Sequence, residues 1–177
     1  MKKKLIFDSN LLKITLDRLC QELIENHGKF DHSVLLGLQP RGIFLVEYIK
    51  ERLSQITKKE IQYGYLDATF YRDDFRRKDA PISAHENKIP FLIENKKVVL
   101  IDDVLFTGRT VRAALDAMLA FGRPKKVELF VLIDRKYSRE FPIAADYVGR
   151  YVNTHYNQHV LVEFNSNDSK IWLMNKP

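Results

Sequence analysis

Cysteine is almost missing from these 177 residues: Cys20 is the only one, so no internal disulfide can form and a reducing compartment suits the chain. No long tract of proline, glycine or serine interrupts it, which predicts a single domain over residues 1–177, large enough to bury a real core. No window approaches the roughly 18 apolar residues of a membrane span. At the N-terminus Lys2, Lys3 and Lys4 precede only Leu5, Ile6 and Phe7 before Asp8, too short an apolar run for a signal peptide. No membrane partner and a cytoplasmic location are therefore expected. The generic nucleotide loops G-x-G-x-x-G and G-x-x-x-x-G-K-[ST] are absent as well. Negative charge is in the minority: the net charge is +6, with a pI near 9.3. That balance suits phosphorylated metabolites or nucleic acid, and equally a surface that is merely well solvated.

What is present alternates between strand and helix. Leu12, Leu16, Leu19 and Leu23 form a helical stripe with Asp8, Ser9 and Asn10 as candidate caps, and Cys20 beside it reads as core. Ser33–Leu38 is a short apolar run, and Leu45, Val46, Ile49 and Leu53 mark a second amphipathic helix. Ile61–Tyr71 reads as a strand, followed by a charged, aperiodic stretch with two prolines. Val98–Ile101 is a continuous apolar run of the kind buried on both faces of a parallel sheet, and Val127–Ile133 reads as another buried strand. Val111, Ala114, Leu115 and Met118 give the helix between them, stopped by Gly122 and Pro124. Weaker strand patterns cover Tyr147–Val152, Val160–Phe164 and Ile171–Met174, and Trp172 reads as core. The alternation predicts an α/β fold with a central, mostly parallel sheet.

Chemistry concentrates in Val98–Thr110, "VVLIDDVLFTGRT". A buried-strand pattern runs straight into two adjacent carboxylates, at the strand end where open parallel sheets bind ligands. The turn after it opens a helix, whose free N–H groups and positive dipole end attract phosphate. Gly108 lets backbone come close, Thr107 and Thr110 add hydroxyls, and Arg109 adds charge. Two acids beside an anion cradle suit a sugar phosphate, with the carboxylates accepting from vicinal hydroxyls directly or through magnesium-bound water. The bland alternative is an acid pair capping a strand above a Thr–Gly turn.

Val98–Thr110 resembles the PRPP (phosphoribosyl diphosphate) signature of the type I phosphoribosyltransferases. Four stretches together resemble the PyrR family of pyrimidine-operon attenuation regulators and uracil phosphoribosyltransferases. They are "LQPRGIFL" (Leu38–Leu45), "LDATFYRDDF" (Leu66–Phe75), "DDVLFTGRTVRAALDA" (Asp102–Ala117) and, with the insert at 136–138 set aside, "DRREFPIAADYVG". The likeness runs from about Leu11 to Thr154. It implies the type I fold with a mobile hood at about residues 71–90, and transfer of phosphoribosyl from PRPP to uracil, giving UMP. It implies Asp102 and Asp103 on the ribose hydroxyls, with Mg²⁺ carried near them by PRPP rather than by a dedicated protein site. Val104, Leu105, Phe106, Thr107, Gly108, Arg109 and Thr110 would line the ribose and 5′-phosphate. Gln39, Pro40, Arg41 and Gly42 would form the diphosphate loop, with a cis bond expected between Pro40 and Arg41; Arg41 would neutralise the leaving group. Tyr71, Arg72, Asp73 and Asp74 would belong to the hood. Asp134, Arg135 and Val152 would meet the base.

Phe106 stands where oxopurine-using relatives carry an acid, which argues for uracil over hypoxanthine or guanine. The family also implies a homodimer or homotetramer and an mRNA leader hairpin as partner. Departures from its pattern bear on that partner. "DRKYSREFPIAADY" (Asp134–Tyr147) is a residue longer than the family's run, lacks its histidine and has Ala144 for an arginine. Asp17 and Gln21 replace a neutral residue and a histidine on the first helix. Lys136, Arg139 and Arg18 remain as candidate cations, so RNA binding is expected to be weak or redirected. An attenuator with little catalysis, or a salvage enzyme for another base, are the alternatives. His155 and His159, four apart, are either loop histidines or a metal pair lacking the usual neighbouring acid.

Overall fold

The three strongest apolar runs become the centre of one sheet. In the computed structural model, which describes residues 3–73, 85–155, 157–165 and 168–175, five parallel strands run in the order β3–β2–β4–β5–β6. These are β2 (Ser33–Leu38), β3 (Tyr63–Leu66), β4 (Lys97–Leu105), β5 (Lys126–Lys136) and β6 (Tyr147–Asn153). Alternate residues of β4 serve two cores, as strand geometry requires. Val99 and Ile101 join α1 (Ser9–His27) and α2 (Gly42–Thr57) on one face, while Val98 and Leu100 join α3 (Arg109–Met118) on the other. The expected stripes are buried as read: Leu12, Leu16, Leu19, Cys20 and Leu23 on α1, and Leu45, Val46, Ile49 and Leu53 on α2. Asp8 caps α1, its carboxylate accepting from the Leu11 N–H at 2.8 Å.

Several expectations are corrected. The strand read over Ile61–Tyr71 stops at Leu66, because the Asp67 carboxylate accepts from the Thr69 N–H and hydroxyl and turns the chain into one helical turn, Thr69–Tyr71. A second sheet was not foreseen: β1 (Lys3–Phe7), β8 (Lys170–Asn175) and β7 (Gln158–Glu163) pair antiparallel in that order. Ile171 and Leu173 of β8 enter the α1–α2 core. Trp172 faces the other way, half-buried rather than core, its indole N–H donating to Glu163 at 2.9 Å. His155 and His159 belong to no cluster of three or more His, Cys, Asp or Glu side chains placed to hold a metal ion, since none exists among the described residues. No helix among them is long and apolar enough to cross a membrane.

A buried polar cluster closes the sheet at its N-terminal edge. His27, with its side chain fully enclosed, lies 2.7 Å from the Glu128 carboxylate and 2.8 Å from the Ser33 hydroxyl. The Tyr147 hydroxyl donates to the same Glu128 carboxylate at 3.2 Å.

Candidate active site

Strand ends at the opposite edge converge on one place. β4 delivers Asp102 and Asp103 there, between the loop after β2 and the end of β5; Gly37 of β2 is in register with Ile101, and Leu105 of β4 with Asp134. Gly42 begins α2 against this end of β4, so closely that a Cβ on it would lie 2.5 Å from the Ile101 carbonyl oxygen. No side chain yields enough to admit that methyl, because the obstacle is backbone. Gly42→Ala is therefore expected to displace the 39–42 loop and lower turnover and thermal stability together, checked by melting curves and a rate assay.

The electrostatics are one-sided. Asp103 is buried, and its Oδ2 accepts no hydrogen bond from any described residue; the nearest cation is Arg41, 3.6 Å away and largely exposed. Asp102 Oδ1 accepts from the Asp103 N–H at 2.9 Å. Burial, then the Asp103 charge, hold the Asp102 carboxyl well above the usual carboxylate range. Burial also raises Asp103, with Arg41 opposing. Uncompensated buried carboxylate oxygens are costly, so the arrangement suits a ligand that brings hydroxyls or a cation.

Helix starts frame the acids. α2 begins after Arg41 and α3 after Gly108; neither has a side-chain cap or an acid in its first turn, so both dipole ends stay open to anions. Gly108 takes φ +89°, a left-handed turn that glycine adopts without strain. Thr110 accepts from Arg72 at 3.0 Å, and Arg109 turns aside to pair with Asp73 and Glu140. Arg109 thus serves the loop's frame, where free positive charge was expected. Tyr71 is exposed beside this corner; Asp74, the remaining hood residue, and the rest of residues 74–84 lie outside the described residues.

The diphosphate-loop expectation needs one correction. The cis peptide joins Gln39 to Pro40, one bond earlier than expected, where the tertiary amide of an X–Pro bond tolerates cis best. Gln39 anchors the loop from outside, its side-chain amide donating to the Glu86 carbonyl at 2.8 Å.

The base-side residues divide. Phe106 is 41% exposed, so it is not core packing, and the Arg135 guanidinium stacks 3.8 Å from its ring centre. Arg135 is itself buried and held by Thr154 Oγ1 at 3.1 Å and the Gln158 carbonyl at 2.9 Å. Asp134 is consumed by an ion pair with Arg139, and Val152 packs toward the α1–α2 core. Sequence reasoning missed the lining from the small sheet: Val162, Glu163, Phe164 and Asn165 share with Arg41, Phe44 and Asp103 a cleft of about 430 Å³. A larger cleft of about 890 Å³ between α1, α2 and Phe164 lies beside it but holds neither Asp102 nor Asp103. The smaller one holds Asp103 and Arg41.

Parallel sheet, acid pair and two open helix starts meet at one edge of the molecule, and the phosphoribosyl transferase domain family matches residues 4–167. Solved structures agree on the fold. A hypoxanthine phosphoribosyltransferase of Trypanosoma cruzi superposes with a TM-score of 0.72 at 13% identity, over 98% of this chain and 97% of that one. A hypoxanthine-guanine phosphoribosyltransferase of Bacillus anthracis gives 0.66 at 18%, over 86% and 85%. Closer in sequence is the bifunctional protein PyrR of Ligilactobacillus salivarius, 45% identical over 171 residues, 94% of each chain. That of Enterococcus faecalis is 42% identical over 168 residues, 95% of this chain and 93% of the other. The chain belongs to the PyrR family of phosphoribosyl transferases.

Proposed function

We propose that the chain transfers the 5-phosphoribosyl group of PRPP to uracil, forming UMP and releasing diphosphate. The observation that carries this reading is the orphaned Oδ2 of Asp103, buried beside Asp102 between two open helix starts. Asp102 and Asp103 accept from the ribose 2′ and 3′ hydroxyls. The Thr107–Thr110 turn receives the 5′-phosphate, and Gln39–Gly42 receives the diphosphate, with Arg41 opposing its charge as the bond from ribose C1 to oxygen breaks. The new bond joins C1 to a ring nitrogen of uracil. The sugar ring is positive while both bonds are long, and the acids beneath it favour that charge. The same acids fit Mg²⁺ carried by PRPP, because a hard cation takes one or two carboxylates plus phosphate oxygens; bound there, it supplies further neutralisation of the diphosphate.

Phe106 sets the base. It offers a ring face and no carboxylate, so nothing at this position would meet a purine N7. In a base panel with PRPP and Mg²⁺, uracil is expected to be converted, and hypoxanthine and guanine not. Comparable turnover of hypoxanthine overturns the assignment.

A second role at RNA rests on the relatives' printed description as bifunctional. Of the candidate cations of the expected face, Arg139 is turned inward and Arg18 is paired at a half-exposed position, while Lys136 stays exposed above the Tyr151 ring. Arg18 pairs with Glu22 and donates to the Val148 and Gly149 carbonyls, Asp17 pairs with Arg52, and Arg139 points inward. Every phosphate that goes unneutralised weakens binding and flattens its salt dependence. A pyrimidine-operon leader hairpin, titrated near physiological salt, is therefore expected to bind weakly; tight binding stimulated by UMP overturns that.

A further inference from the structure

The longest departure from the family's pattern, residues 136–143, folds against the back of the phosphate turn. Arg139 is the hub. Its Nε donates to the Ile143 carbonyl at 3.0 Å, and one terminal nitrogen donates to the Phe106 carbonyl and reaches the Arg135 carbonyl at 3.5 Å. The other terminal nitrogen pairs with the Asp134 carboxylate. One planar guanidinium thus ties the wall next to the base to the first residue of the turn, a geometry that lysine's point charge cannot reproduce.

The next residues extend the grip. The N–H groups of Glu140 and Phe141 both donate to the Thr107 carbonyl, at 2.9 and 3.1 Å. The Glu140 carboxylate accepts from Arg109 Nε at 2.6 Å, and Arg109 lies 5.2 Å from the centre of the Phe141 ring. Phe141 and Ile143 come within 3.3–3.5 Å of where a Cβ on Gly108 would stand.

A trans peptide is planar, with its carbonyl and the following N–H on opposite sides. Holding the Phe106 and Thr107 carbonyls from behind therefore aims the Thr107 and Gly108 N–H groups forward. No described residue accepts from either of them. We propose that the 139–143 strap, through Arg139, presets these two amides for the phosphate, so that Arg139 is a positioning residue for the site rather than a cation offered to RNA. The proposal rests on the phosphoribosyl-transfer reading, and its effect is on phosphate affinity rather than on the choice of base.

Arg139→Met keeps the apolar stem of the side chain and removes its donors. Calorimetry with UMP and steady-state rates with PRPP are expected to show dissociation constant and KM both raised about ten- to a hundredfold, as misplacement of a binding group by a fraction of an ångström to 1 Å produces. Arg139→Lys, which keeps the charge facing Asp134 but not the fork, is expected to fall in between; it also decides the matter if the Met variant does not fold. A purely structural role would lower melting temperature and active fraction while leaving UMP affinity and KM unchanged, and that result overturns the proposal. So does loss of leader-RNA binding at unaltered UMP affinity. Failure of the wild type to convert uracil would refute the base assignment alone, because UMP calorimetry on the same variants still reads the amide cradle.

Discussion

Asp103→Asn is expected to cut turnover by about 10- to 1000-fold, the range seen when one preorganised electrostatic partner of a transition state is lost. Asp102→Asn should behave alike. Both variants are also expected to melt no lower than the wild type, and the reason is the sign of the proton linkage. Burial raises both carboxyls in the folded chain, so the native state binds protons more tightly than the unfolded one, and these groups cost stability increasingly as pH rises above the ordinary carboxylate range. An amide of the same shape removes that cost. Steady-state rates and melting curves near neutral pH, measured on the same preparations, test both halves. Full activity in both variants would make the acids structural and end the proposed mechanism.

Glu128→Ala acts at the other edge of the sheet and on stability. It removes the acceptor shared by His27 and Tyr147 and the partner of Lys126, leaving buried donors unmatched. The expected loss is about 3 kcal/mol, as for two buried donors left unmatched at about 1–3 kcal/mol each, or about 6–12 °C in Tm for a chain of this size. Urea denaturation measures it, and an unchanged midpoint would show that the cluster contributes nothing. Acid should weaken the wild type at the same place. Burial lowers the His27 pKa from its ordinary 6.5, with the Glu128 charge opposing, so His27 is neutral in the folded chain and stability falls as pH drops below 6.5. Burial pushes Glu128 up, but Lys126 and then His27 outweigh it and hold the carboxyl below its usual range, so its contribution too is lost as pH falls. At neutral pH the contact between His27 and Glu128 is therefore a hydrogen bond to a carboxylate rather than an ion pair.

Most of the frame and the acid pair were legible because each rests on a local pattern. "VVLI" is apolar without interruption, and "VELFVLI" apolar but for Glu128, because β4 and β5 are central strands with a core on both faces. Asp102 and Asp103 break that pattern where the strand leaves the core. The small sheet was not legible as a sheet. Lys3, Lys4 and Leu5 are exposed on β1, and β7 and β8 are half-buried for much of their length, so little periodicity survives, and their pairing joins the two ends of the sequence. The path of Arg139 was equally hidden. In sequence it is one cation in a charged stretch, and only the turn at Tyr137, a non-glycine residue at φ +64°, directs it inward onto Phe106 and Asp134. Trp172 misled for the opposite reason, since hydrophobicity alone does not say which face of a two-sided strand a side chain occupies.

Lys3 pairs with Met174 and Phe7 with Ile171, so the first strand of the chain finds its partner almost at the last. On a ribosome, β1 must wait, its apolar residues Ile6 and Phe7 without β8 to pair with, until the segment some 170 residues later has emerged. The five parallel strands close over far shorter loops and can assemble first. Val162 to Asn165, which line the cleft beside Asp103, arrive with the late sheet. Completion of the cleft is thus tied to the arrival of β8: a nascent chain cut short of β8 would carry the acid pair and the phosphate turn yet lack one wall around them.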